Sequence, residues 1–219
     1  RKSFDMKDKV AARLEEVEKR LALHGAVIKD REHSTAYALR YVIQHEGDTE
    51  VLARHIEDVD GVEILSLGSS LELIKDLGDA SVVSAQYGLK DFSGTHGIGH
   101  TRMATESDVD IRSAHPYWAF PYNDVSVVHN GQITNYWLMR RDMEHKGHRF
   151  MSSCDSEVLA VYTAHNMAIG MTLEESLRAS ITDIDGVFTY LVATKDQLGM
   201  AKDTMAAKPL VLYESDSLI

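Results

Sequence analysis

Histidine, arginine, asparagine and cysteine gather at four places in this chain. These are His96, His100 and Arg102 in a glycine-rich run, His115 before Pro116, His129-Asn130-Gly131 after an apolar stretch, and Ser153-Cys154-Asp155. Two histidines four positions apart could ligate a metal, an arginine could hold an anion with its planar fork, and a thiol could attack a carbonyl. Each place also has an ordinary structural reading. An Arg at the end of a glycine-rich strand is commonly a surface or ion-pair residue. Asn-Gly after an alternating strand is a turn needing positive φ, and Asp155 ahead of a helical run is a cap. His115 and His129, taken singly, read as satisfied core histidines.

The elements that must position these residues follow from periodicity. Met6, Val10, Leu14, Val17 and Leu21 recur at three- and four-residue steps and predict an amphipathic helix from Met6 to Leu23, ended by Gly25. A strand over Tyr37–Ile43, a helix over Thr49–Val59 and a second strand over Val62–Leu67 follow, then a short strand near Leu73 and a helix near Val82. A glycine-rich strand runs from Gly94, and a polar loop spans Ala104–Asp124. The strand Val125–His129 is expected to stop at Asn130-Gly131, and a helix over Asn135–Lys146 closes on Gly147. Asp155 is expected to cap a helix over Ser156–Ala168, and Thr172 with Glu175 forms a capping box. Val187–Thr194 and Leu198–Lys202 read as a hairpin, with Leu210–Tyr213 as a last strand. The mixture of helices with hairpins indicates α+β layers with antiparallel sheet.

Composition narrows the function. The chain has 219 residues, 44% of them hydrophobic, enough to bury a core. A formal net charge of −11 argues against nucleic-acid or anionic-membrane surfaces. A single cysteine excludes an internal disulfide framework, and no apolar run approaches a membrane span. A reducing, cytoplasmic setting is expected. Neither GxGxxG nor a P-loop is present, and no cofactor is predicted.

Four spaced motifs occur in order: Gly99-His100-Thr101-Arg102-Met103-Ala104-Thr105, Ala114-His115-Pro116, Val127-Val128-His129-Asn130-Gly131-Gln132-Ile133 and Asp155-Ser156-Glu157-Val158. Gly147-His148-Arg149-Phe150, Ala201-Lys202-Asp203 and Lys208-Pro209-Leu210 accompany them. Together they resemble class II glutamine amidotransferases, whose nucleophile is an N-terminal cysteine, over about Ser93 to Leu212. Met103, Glu106-Ser107 and the long insert before the glycine-rich run look most like the glutamate-synthase-related branch, closest to the amidotransferase subunit of N-methylglutamate-synthase-type enzymes.

The resemblance implies an Ntn-hydrolase-like αββα sandwich with antiparallel sheets, incomplete at both ends of this chain. It further implies a single amidotransferase domain over 1–219, in which 1–90 is an insert region and 91–219 carries the motifs. Arg102 would clamp the α-carboxylate of L-glutamine and Asp155 its α-ammonium, with Thr105 and His115 also at the substrate. The Asn130 amide and the Gly131 N–H would donate to the oxyanion. The cysteine's own α-amine would act as base, and a thioester would be hydrolysed to glutamate with release of ammonia. Residue 1 is Arg, and Cys154 lies beside Asp155 without a free α-amine. The nucleophile is therefore expected on a segment preceding this chain.

The ammonia would pass to a synthase domain or subunit, which implies a hetero-oligomer. Two other readings are open. One is a subunit that binds glutamine without hydrolysing it. The other is a metal-dependent hydrolase built on His96 and His100, but Gly97 and Gly99 disfavour the helix that would bring both rings to one face, and a strand would set them about 13 Å apart.

Overall fold

The computed structural model describes residues 7–101, 111–119 and 124–215. The chain divides into two compact units, Arg1–Leu67 with Gly78–Ser93, and Gly68–Leu77 with Gly94–Ile219.

In the first unit, α1 (Lys7–Leu23) and α2 (Thr49–Glu57) form where the apolar spacing predicts them. Asp48 caps α2 by accepting the N–H groups of Glu50 and Val51. Val17 and Leu21 of α1 pack with Leu52 of α2, Ala26 and Val59 in a small core. The antiparallel pair β1 (Val27–His33) and β2 (Leu39–Gln44) completes it, and only β2 was expected. β1 is almost wholly exposed and carries Lys29, Asp30, Arg31 and Glu32, so no buried face imposes an apolar alternation. α3 (Ala80–Gln86) appears near Val82 as predicted, capped by Asp79. The predicted strands at Val62–Leu67 and near Leu73 are not formed. The backbone of the first segment is drawn back to the end of α2 instead, Val62 N donating to the Val59 carbonyl and Ile64 N to the Glu57 carboxylate at 2.8 Å.

The second unit is built on a four-stranded antiparallel sheet, β3 (Tyr117–Trp118), β4 (Val125–Ile133), β5 (Gly186–Thr194) and β6 (Leu198–Lys202), in that spatial order. Its helices are α4 (Tyr136–His145), α5 (Ser156–Ala168) and α6 (Leu173–Asp183). This is the expected α+β arrangement of helices on antiparallel sheet. The register pairs Val127 with Val192, His129 with Tyr190 and Gly131 with Phe188. Those side chains share one face of the sheet, the face that meets α5 and α6. Val158, Leu159, Ala160 and Val161 of α5 are fully buried in the core of this unit, each Val or Leu side chain contributing about 1.5–3 kcal/mol on leaving water. Gly199 of β6 lies under Leu173 and Leu177 of α6, and a Cβ at that position would stand 2.6 Å from Leu177. The predicted capping box of α6 is present, with Thr172 and Glu175 bonding each other's backbone N–H.

Two further sequence expectations fail in this unit. Gly94–Thr101 is not a strand, and Leu210–Tyr213 forms no ladder among the described residues. No helix among the described residues is long and apolar enough to cross a membrane.

Candidate active site

Nine residues of β4 carry the chain through the site. The expected stop at Asn130-Gly131 does not occur: Asn130, Gly131, Gln132 and Ile133 all keep their places opposite Thr189, Phe188, Val187 and Gly186. The glycine makes this passage possible. Gly131 has φ 147°, and a Cβ there would lie 2.0 Å from the Val187 carbonyl oxygen and 2.9 Å from His129 Nε2. Only a residue without a Cβ can hold that backbone so close to β5. Along this segment His129 and Ile133 are buried while Asn130 and Gln132 are exposed, so the amide of Asn130 stands on the open side of the strand.

Asp155 sits at the cap position of α5, yet it does not cap the helix. Its backbone is αR and its side chain accepts no backbone N–H of the first turn. The carboxylate instead crosses to β4, where Oδ2 accepts the Ile133 N–H at 2.9 Å. The helical backbone at Asp155 turns its side chain away from the N–H groups a cap would serve, and tertiary pairing takes precedence. The next residue makes a parallel link, since Ser156 Oγ lies 2.8 Å from His129 Nδ1. The head of α5 is thereby fastened to β4 at both ends of the segment that contains Asn130 and Gly131.

The loop before α5 is held from below by Glu157, which is 1% exposed. Its carboxylate accepts Met151 N at 2.6 Å, Ser152 N at 2.7 Å and Ser152 Oγ at 2.6 Å. Burial nevertheless pushes this carboxyl above its ordinary value, outweighing the pull of those donors and of Arg140. Arg140 grips the same loop from α4, donating to the Ser152 carbonyl at 2.7 Å and lying over the Phe150 ring. Cys154 is partly buried between these supports, its thiol 3.7 Å from both Asp155 Oδ1 and Ser156 Oγ.

His129 is 4% exposed. Burial brings its imidazole down from 6.5 to about 4; the Asp155 charge opposes this, and those of His100 and Lys208 reinforce it. The ring is therefore neutral at physiological pH. His100 in turn stacks on His115 at 4.1 Å between centroids, and His115 meets Tyr117 edge-on at 4.9 Å. His96 points elsewhere, its ring nitrogens bonding the Thr194 carbonyl and Thr95 Oγ1. The two histidines of the H-x3-H spacing are thus engaged separately, and among the described residues no group of three His, Cys, Asp or Glu side chains could hold a metal ion.

Of the residues singled out from sequence, Asn130 and Gly131 lie on the stretch of β4 whose ends, His129 and Ile133, bond Ser156 and Asp155, while His115 stacks on His100. Arg102 and Thr105 lie outside the described residues. Sequence reasoning gave no role to His129, Ser156 or Glu157. Their signal was present in the His-Asn-Gly and Asp-Ser-Glu motifs, each beside a residue that had been assigned one.

The profile of the glutamine amidotransferase domain family matches residues 100–219, more than half of the chain. A protein of Methanothermobacter thermautotrophicus named as a glutamine amidotransferase is 40% identical over 192 residues, 88% of this chain and 63% of its own length. The glutamine amidotransferase-like protein GlxB of Rhizobium meliloti is 39% identical over 158 residues, 72% of this chain and 52% of its own length. The chain thus spans between half and two thirds of the length of these two curated relatives. Among solved structures, the glutamine phosphoribosylpyrophosphate amidotransferase of B. subtilis overlays 50% of this chain and 23% of that one, at 24% identity and a TM-score of 0.43.

Proposed function

Because the chain belongs to the class II glutamine amidotransferase family, we propose that it binds L-glutamine beside Asn130, Gly131 and Asp155 and yields the amide nitrogen as ammonia to a synthase. The observation that carries this reading is the double fastening of α5 to β4, through Asp155 to Ile133 and Ser156 to His129. It supports the reading because the Asp155 carboxylate, suited to an α-ammonium, is tied to the same strand that carries the exposed Asn130 amide and the Gly131 N–H, groups suited to an oxyanion.

In this scheme Arg102 holds the substrate carboxylate, and Thr105 and His115 complete the pocket wall. A cysteine thiolate attacks the glutamine Cδ, and the negative charge on the carbonyl oxygen is met by Asn130 and Gly131. Collapse of the tetrahedral adduct expels ammonia, the leaving nitrogen taking a proton from the cysteine's α-ammonium. Water then cleaves the thioester to glutamate and restores the thiol. Cys154 is not that nucleophile: its amide nitrogen is in a peptide bond, and its thiol rests against Asp155 and Ser156. The scheme requires a different cysteine, one that bears a free α-amine. The acceptor is a glutamate-synthase-type domain or subunit in a cytoplasmic hetero-oligomer, a reading supported by Met103, Glu106-Ser107 and the insert over 1–90.

Mass spectrometry of the native protein's N-terminus, with a glutaminase assay on the same material, tests this. A mature N-terminal cysteine with glutamate and ammonia released in equal amounts is the expected result. Glutamine bound but not turned over by a protein without that cysteine would establish the binding-subunit reading instead.

A further inference from the structure

His129 Nδ1 lies 2.8 Å from Ser156 Oγ, and Ser156 Oγ lies 3.4 Å from Asp155 Oδ1. Nε2 of the same ring is buried and has no hydrogen-bond partner among the described residues. Were the Ser156 hydroxyl to donate to Nδ1, the ring proton would sit on buried Nε2 without an acceptor among the described residues, so the order that orphans no donor runs from Nδ1–H to Ser156 and from Ser156 to the Asp155 carboxylate. This places the single proton of the neutral ring on Nδ1 and leaves Nε2 as the bare nitrogen, met by no donor among the described residues. The negative charge of Asp155 draws both dipoles into that order. The other carboxylate oxygen, Oδ2, is held by the Ile133 N–H at 2.9 Å.

We propose that His129 and Ser156 form a two-link positioning chain that orients the Asp155 carboxylate for the α-ammonium of the substrate. His129 and Ile133, the two anchoring points, flank Asn130 and Gly131 on one strand. His129 and Ser156 are positioning residues: neither touches substrate, and both act through Asp155. The inference rests on the glutaminase reading given above and deepens it.

A carboxylate that grips the ammonium equally in ground and transition states contributes uniform binding, so its misalignment raises KM and leaves kcat nearly alone. In the full-length protein, Ser156→Ala is expected to raise the KM for glutamine roughly tenfold with kcat within about twofold. His129→Leu, which keeps the bulk and removes the donor, is expected to raise KM alike. His129→Asn, whose side-chain amide can occupy the place of Nδ1–H, is expected to recover KM to within about threefold.

A folded Ser156→Ala protein with unaltered KM overturns the chain, as does one in which only the melting temperature falls. So does a His129→Asn protein no better than His129→Leu. Should Ser156→Ala fail to fold, the two His129 variants decide. Failure of the unaltered protein to bind or hydrolyse glutamine would instead sink the glutaminase reading, and that control separates the two.

Discussion

Asp155, at the head of α5, gives its carboxylate not to its own helix but to the backbone N–H of Ile133 on β4, 22 residues earlier, at 2.9 Å. A residue type and position that suit a helix cap are used instead to join helix to strand beside the candidate site. The consequence is that Asp155 can be altered with little effect on α5.

Replacing Asp155 by Asn keeps the shape and one acceptor for Ile133 while removing the charge. Stability should change by less than about 1 kcal/mol, because no cap is lost. Glutamine affinity should fall more than about tenfold with the loss of a charge-assisted contact. Calorimetric titration of the full-length protein, paired with its thermal melt, checks both halves; a large stability loss with unchanged affinity would make Asp155 structural.

Gly131→Ala should be far more damaging than its size suggests. The new Cβ would meet the Val187 carbonyl oxygen at 2.0 Å and Phe188 Cα at 2.8 Å, both backbone atoms of the paired strand, at a φ of 147°. Strain and overpacking together predict a loss of at least about 3 kcal/mol. Chemical denaturation would register it, and a near-neutral variant would mean that β4 does not run as described.

Glu157→Gln removes a carboxylate that receives Met151 N, Ser152 N and Ser152 Oγ. The amide presents N–H groups where donors already point, leaving at least one buried group unsatisfied. A destabilisation of about 2 kcal/mol or more is expected. Because the loop carries Ser153 and Cys154 up to Asp155, proteolytic cleavage after Met151 or Ser152 should also accelerate. An unchanged melt and cleavage rate would remove Glu157 from the support of the loop.

The His129 imidazole, held at about 4 by burial, predicts a pH dependence of definite sign. Above about pH 6.5 the ring is neutral in both folded and unfolded chains. Below it the unfolded chain takes up a proton that the folded chain refuses, so stability is lost as the pH falls from about 6.5 to about 4, on the order of 3 kcal/mol at most. Glu157, raised by burial, works the other way where the ranges overlap, since its folded carboxyl binds a proton first. Denaturation curves of the parent and of His129→Asn at pH 7 and pH 4.5 isolate the histidine: the variant should lose less stability on acidification. Equal losses would show that His129 is not held neutral.

Much of this molecule is written locally. α1, α2 and α6 are legible because an apolar stripe, a capping Asp48 or a Thr172–Glu175 box acts within a few residues of chain. The β5–β6 hairpin is legible for the same reason. The motif pairs His-Asn-Gly and Asp-Ser-Glu are likewise visible by residue type alone, as is the family to which they point.

The sheet and the site were settled elsewhere. β1 forms although it is charged and exposed, since β2 supplies its hydrogen bonds, whereas the more apolar Val62–Leu67 bonds back to the end of α2 and stays irregular. β4 runs through Asn130-Gly131 instead of turning because β5, some 60 residues further on, pairs with every residue to Ile133. Asp155 leaves its helix for the same strand. A strand's hydrogen bonds and a carboxylate's acceptor choice depend on which groups from distant chain arrive within 3 Å, and no local spacing encodes that arrival. Sequence determined which side chains this protein can bring to bear on a substrate; the tertiary structure decided which of them face one another.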